Sequence, residues 1–205
     1  MYIAIEGTVG SGKTTLSKRL VEYLKKLYPN KNVIWTREPG GSEISDVIRN
    51  VVQGTKFVED MTVICESYLY AASRSQTLRT VVFPVIEAGG YVVSDRCFVS
   101  SIVNQGYGRG LNIDTVREIN FPAVGNILPD LIIYLDTKVE VSYRRVKDHA
   151  GDKFEAFGRE YHERVRYGYH EVMKWELFRD KWVTVDANRS LDQVFTRIIA
   201  ATQLG

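Results

Sequence analysis

Residues 7–15, GTVGSGKTT, put Gly7, Gly12, Lys13 and Thr14 at the fixed positions of G-x-x-x-x-G-K-[ST]. Glycines at that spacing let backbone N–H groups turn inward around an anion, and a helix starting there adds the positive end of its dipole. Lys13 would reach the β and γ phosphates of a nucleoside triphosphate, and the Thr14 hydroxyl would hold magnesium. A second set of residues suits a second phosphorylated ligand. Arg37, Arg49, Arg74, Arg96, Arg109 and Arg144 include several at strand ends or loop edges, where a guanidinium can grip a phosphate through paired N–H groups. Phosphoryl transfer to a bound acceptor needs alignment and charge neutralisation more than covalent help from protein. The arginines suit that chemistry better than water activation.

The elements that must position these groups lie around them. Residues 2–5 are a short apolar strand, and Leu16, Leu20, Val21, Leu24 and Leu27 recur at helical spacing after the loop. A second strand at 32–36 runs into TREPGG, a loop opened by Pro39, Gly40 and Gly41. Ser42 then caps a helix carrying Ile44, Val47, Ile48, Val51 and Val52. Residues 60–88 predict one long helix or two in series, interrupted by Pro84 and stopped by Gly89-Gly90. A third strand, 91–94, delivers Asp95-Arg96 to its carboxyl end, the side on which open α/β sheets bind ligands. Residues 100–109 start helical and end as a glycine-rich turn, and 112–121 are helical. The fourth strand, 131–135, is continuously apolar, as a strand covered on both faces should be. Helices at 139–146 and from 154 to about 178 flank a charge-dense stretch. A fifth strand at 182–185 and a helix capped by Ser190 complete the pattern. Five strands alternating with helices predict an α/β chain: a five-stranded parallel sheet with helices on both faces, a three-layer single domain over residues 1–205.

Bulk properties narrow the classes. Of the 205 residues, 44% are hydrophobic and 25% charged, enough to bury a core. The net charge of +2 gives no call for nucleic acid or an anionic membrane as partner. The basic and aromatic run at 160–169 fits an amphipathic helix with solvated arginines. Cys65 and Cys97 lack C-x-x-C spacing, and His149, His162 and His170 lack ligand spacing, so reduced thiols and no metal cluster are expected. No leader and no membrane-spanning run are seen, and the expectation is a soluble, cytoplasmic protein. A guanine-reading N-K-x-D is missing, which argues against a GTPase. Asp136 has no acidic neighbour to act as an activating base, which argues against an ATPase motor.

Nearly end to end, the chain resembles the thymidylate kinase family of P-loop nucleoside monophosphate kinases. The resemblance rests on IEGTVGSGKTT, TREPGG, YAASRSQ, SDRCFVSS, NQGYGRG, PDLIIYLD, DKFE and VDANRSL, in the family's order. It implies phosphorylation of dTMP by ATP with Mg2+, in a P-loop kinase fold with a short lid at about 144–155, and a homodimer to which residues 60–88 could contribute. ATP would be held by Gly7, Thr8, Val9, Gly10, Ser11, Gly12, Lys13, Thr14 and Thr15, with Ala187 near it. Thr14 and Asp95 would hold the metal. Arg96 and Arg49 would hold the acceptor phosphate, and Glu38 would line the pocket near sugar and metal. Tyr70 would stack on the base, Arg74 would bond its O4, and Ser101 and Gln105 would read its edge, with Ser100 and Asn104 beside them. Lys13, Arg96, Arg144 and Lys153 would be the catalytic cations. The lid is favoured to supply the catalytic arginine, because the loop carries Gly10 where the other family type has arginine.

Four positions depart from the family pattern. Val9 stands for an acidic residue and Asn104 for a tyrosine, both of the sugar pocket; Cys97 stands for a tyrosine after Asp-Arg, and Lys153 for an arginine of the lid. A shift toward another or a broader set of pyrimidine monophosphates is therefore one alternative. The loop's TVGS also resembles deoxynucleoside kinases, which makes a nucleoside acceptor a second. A nucleotide-binding protein without transferase activity is a third.

Overall fold

Alternation along one strand sets the architecture. In β1, Tyr2–Gly7, every residue is buried; Tyr2 and Ala4 join one hydrophobic cluster while Ile3 and Ile5 join another. A strand buried on both faces must be covered by helices on both faces. The computed structural model describes residues 1–54, 57–146 and 157–202. Among them β1, β2 (Val33–Arg37), β3 (Tyr91–Asp95), β4 (Leu131–Asp136) and β5 (Trp182–Asp186) form one parallel sheet in the order β2-β3-β1-β4-β5. This is the three-layer α/β fold that the alternation of strands and helices predicts.

One face is covered by α1, Lys13–Leu27, through Leu16, Leu20, Val21 and Leu24, and by α9, Leu191–Thr202, through Val194 and Ile198. The other receives α3 (Val63–Thr77), α6 (Ile113–Val124) and α8 (Arg159–Val172), whose Tyr161, Val165, Tyr169 and Val172 are all buried there. Ser42 caps α2, Glu43–Val52, by accepting a hydrogen bond from Ser45 N, as its position predicts. No helix of the described residues is long and apolar enough to cross a membrane.

Two stretches differ from expectation in the same way. Within 60–88, one helical path runs over residues 63–87: α3 widens into a π-turn at Leu78–Val82 and resumes as α4, Phe83–Glu87. The widened turn immediately precedes Pro84, whose ring and missing N–H would disrupt a regular α-turn. Past β3, α5 (Val99–Ser101) opens into a second π-turn, Ile102–Gly108, where a helical start ending in a glycine-rich turn was expected. Its glycines serve close approach. A Cβ on Gly106 would lie 2.5 Å from Ile113 Cδ1, and one on Gly108 2.5 Å from Tyr161 Cε2. The expected helix at 154–178 is observed from Arg159 to Val172, followed by a 3-10 turn at Glu176–Phe178; residues 154–156 lie outside the described ones. Between β4 and α8, α7 spans Val139–Val146, as expected.

Candidate active site

The strands' carboxyl ends converge on the first loop. Gly12, at φ +91°, is the N-cap of α1, and its left-handed conformation turns the chain from loop to helix. Lys13 is only 6% exposed, and its Nζ donates to Thr8 O at 2.6 Å and Ser11 Oγ at 3.3 Å. The loop therefore holds its cation ready against its own backbone. Thr14 Oγ1 donates to Asp95 Oδ2, which brings the two expected metal ligands together from α1 and β3. Thr15 is exposed beside them. The loop is tied from behind by α7: Ser142 Oγ donates to Val9 O, and Arg145 Nη1 to Gly10 O at 3.3 Å. Arg145 Nη2 also donates to Ala187 O at 3.0 Å and Arg189 O at 2.9 Å. One guanidinium thus joins the phosphate-binding loop to the segment after β5.

Next to the loop lies a cleft lined by Val9, Glu38, Tyr70, Arg74, Arg96, Ser100, Ser101, Asn104 and Gln105 together with Pro39 and Gln53. Arg96 connects the two places. Its Nη1 donates to Gly7 O at 3.2 Å and to Ser100 Oγ at 3.1 Å, one partner in the loop and one in the cleft wall. Its backbone sits at φ +77°, a left-handed conformation costly for a side chain with a Cβ and held here by Arg96 N donating to Ile5 O and Ser94 Oγ donating to Arg96 O. Strain of that kind concentrates at functional sites.

Deeper in the cleft, Arg74 is 1% exposed and donates through Nε to Glu38 Oε2 at 2.6 Å, through Nη1 to Asn120 Oδ1 and through Nη2 to Ser101 Oγ at 3.2 Å. Three of the five guanidinium N–H groups are used in those contacts, which leaves two for a ligand. Burial pushes the Glu38 carboxyl above its ordinary range, although Arg74 pulls the other way. Ser100 and Ser101 share one wall with Asn104 and Gln105, four residues on, the spacing that stacks side chains on one face of a helix. Asn104 is fixed at both ends of its amide, donating to Ser100 O at 2.6 Å and accepting from Tyr161 OH at 2.9 Å.

Most residues singled out in the sequence meet here, and a few fall elsewhere. Arg49 does not line the cleft; its Nη1 donates to Pro39 O at 2.8 Å. Arg144 is exposed on α7, and it is the neighbouring Arg145 that turns to the loop. Lys153 and most of the expected lid lie outside the described residues. Three carboxylates carry more than their sequence positions suggest. Glu6, fully buried, accepts from Cys97 N, Ser100 N, Ser100 Oγ and Tyr169 OH, and so clamps the turn after β3 to α8. Glu66, also fully buried, meets Gln105 and Arg109. Asp136 is held by Arg166 through contacts of 2.7 and 2.9 Å; burial alone would raise its carboxyl, and Arg166 outweighs that to hold it below its ordinary range. A carboxylate held in that pair is ill placed to activate water, which agrees with transfer to a bound acceptor.

The thymidylate kinase family model matches residues 5–198 of the chain. Among curated relatives, thymidylate kinase of Finegoldia magna is 37% identical over 200 residues, covering 97% of this chain and 96% of the relative. Thymidylate kinase of Maridesulfovibrio salexigens is 40% identical over 209 residues, covering 98% and 94%. Among solved structures, thymidylate kinase from Ehrlichia chaffeensis aligns with a TM-score of 0.79 at 26% identity, over 98% of this chain and 97% of that one.

Proposed function

The chain belongs to the thymidylate kinase family, and from that premise we propose how its residues divide the transfer of a phosphoryl group from ATP to dTMP. The loop of residues 7–15, with Ala187 beside it, holds ATP; Lys13 leaves Thr8 O and Ser11 Oγ to meet the β and γ phosphates. The neighbouring cleft holds dTMP. Arg96 grips the acceptor phosphate, Arg49 supports it, Glu38 lines the sugar end, and Tyr70, Arg74, Ser101 and Gln105 surround the base. The observation that carries this reading is the Arg96 guanidinium, which touches the phosphate-binding loop and the acceptor wall at once. A cation at that junction opposes the charge that spreads over the transferring oxygens and holds donor and acceptor in line. Arg144 and Lys153 are assigned to the lid side of the ATP site.

Thr14 and Asp95 present adjacent oxygen ligands, a donor set that suits a hard divalent cation with phosphate oxygens and water completing its shell. Magnesium bound there supplies neutralisation of phosphate charge. The deciding experiment is a coupled assay of ATP turnover across dTMP, dUMP, dCMP, dGMP, UMP and thymidine. Preferred turnover of dTMP is expected, abolished when the metal is chelated and restored by added Mg2+. Turnover of thymidine alone would transfer the chain to the nucleoside kinases. Preference for another monophosphate would mark Val9 and Asn104, both in the cleft wall, as a changed specificity.

We assign the enzyme to the cytoplasm, where the free Cys65 and Cys97 suit a reducing compartment. A homodimer is the proposed assembly. The support is apolar surface on two packed helices, with Ile44 and Val47 of α2 and Ile64 and Tyr68 of α3 exposed. Sedimentation at micromolar concentration should return twice the chain mass, and a monomer mass there would exclude this assembly.

A further inference from the structure

Gln105 is 1% exposed, yet it lines the acceptor cleft with Tyr70, Arg74 and Ser101. Its two amide ends differ in what they meet. Nε2 donates to Glu66 Oε1 at 2.8 Å, and Glu66 Oε2 accepts from Arg109 Nη1 at 3.3 Å. Oε1 is buried and has no hydrogen-bond partner among the described residues. The two ends cannot be exchanged freely. A carboxylate paired with a guanidinium only accepts hydrogen bonds, so the amide nitrogen must face Glu66 and the oxygen must face away. A buried acceptor without a donor is costly in the empty site and is satisfied by a ligand that brings an N–H group.

Resting on the assignment of this cleft to the acceptor's base, we propose that Glu66, backed by Arg109, is a positioning residue that sets the polarity of Gln105. With Glu66 in place, Gln105 offers an acceptor, which matches the N3–H of thymine. A cytosine-type base carries an unprotonated N3 and meets oxygen against lone pair. Without the carboxylate, the amide can turn over and offer Nε2 to such a base. Arg109 offsets the charge that burial of Glu66 would otherwise penalise. Base selection is then written in a residue on α3 that does not itself line the cleft.

The test compares kcat/KM for dTMP and for 5-methyl-dCMP, which share sugar, phosphate and methyl group and differ at N3 and C4. Arg74 is kept in every variant, so its effect on the C4 substituent cancels. E66Q keeps the size of the side chain but accepts either orientation of Gln105. The ratio of dTMP to 5-methyl-dCMP is expected to fall about tenfold or more in E66Q, through KM of the acceptor and with the KM for ATP unchanged. Equal losses on both substrates, with the ratio intact, overturn the proposal and make Glu66 structural only. Q105L separates this from the site assignment: unchanged kcat/KM for dTMP in Q105L means that Gln105 does not meet the base, and both readings fall. Should E66Q not fold, the 15N-labelled side-chain amide of wild-type Gln105 answers instead. Slow solvent exchange of an Nε2 proton that persists in the dTMP complex supports the lock, and fast exchange of both protons overturns it.

Discussion

Replacing Lys13 by methionine is expected to lower kcat for phosphoryl transfer by roughly 10²–10³-fold, the usual cost of removing one preorganised group that stabilises developing charge. The same substitution should change the melting temperature little. Lys13 is an almost wholly buried cation, held by Thr8 O and Ser11 Oγ. Methionine keeps the apolar stem and removes the desolvation cost of the ammonium, while Thr8 O and Ser11 Oγ lose a donor, so the two effects oppose each other. Steady-state kinetics beside a thermal melt decides the matter. A stable protein with unimpaired turnover would remove Lys13 from the transfer step, and a large loss of stability would show that the loop depends on its ammonium for folding.

Arg74→Met is expected to act on the opposite balance, costing about 3–5 kcal/mol of stability, as breaking one side of a buried pair usually does. It strands Glu38, whose carboxyl burial already raises from a reference of 4.5 even with Arg74 opposing the shift. Loss of the guanidinium pushes that carboxyl further up. A group whose native pKa exceeds its unfolded one binds its proton more tightly in the fold. Its favourable contribution is complete below the unfolded value and is lost as pH rises through the native one. The deficit of Arg74→Met should therefore be larger at pH 8 than at pH 5, measured by denaturant unfolding at each. A deficit independent of pH would falsify the role given to Glu38. The double variant Arg74→Met with Glu38→Met should recover much of the stability, since both partners leave together. It should not recover binding of dTMP, because the guanidinium proposed to bond the base is gone from the cleft wall.

These two predictions rest on features of unequal visibility in the sequence. Lys13 was legible because everything that defines its loop is local: strand, glycines, cation and helix follow within fifteen residues. The sheet was legible for the same reason, since β4 is continuously apolar and β1 nearly so. Arg74 could be placed only by family resemblance, and its partners Glu38, Asn120 and Ser101 come from three other segments that no spacing joins. Glu66 sits on α3, and in sequence it cannot be told from a solvated helix carboxylate. Only the packing of α3 against the π-turn buries it. Glu6 ends an apolar strand and reads as its stop signal, although strand alternation puts it on the same face as Tyr2 and Ala4. Arg144 and Arg145 are consecutive on a short helix, about 100° apart around its axis, and nothing in their spacing picks out the inward one. Pro84 marks the first π-turn as an interruption without saying that the helix widens there, and the second has no such mark.

The second π-turn bears on how this chain can vary in length. A π-turn holds one residue more than the α-turn it replaces, and that surplus is often the trace of an insertion kept for function. Losing one residue between Ile102 and Asn104 would let the segment relax into a regular helix with better hydrogen bonds. Since the wide turn already carries one residue more than an α-turn, the same loss would return Gln105 to nearly the same direction, facing the cleft that it lines. A deletion at this point is therefore absorbed by the turn, whereas the same deletion in a regular helix would rotate everything beyond it by about 100° and carry the site apart.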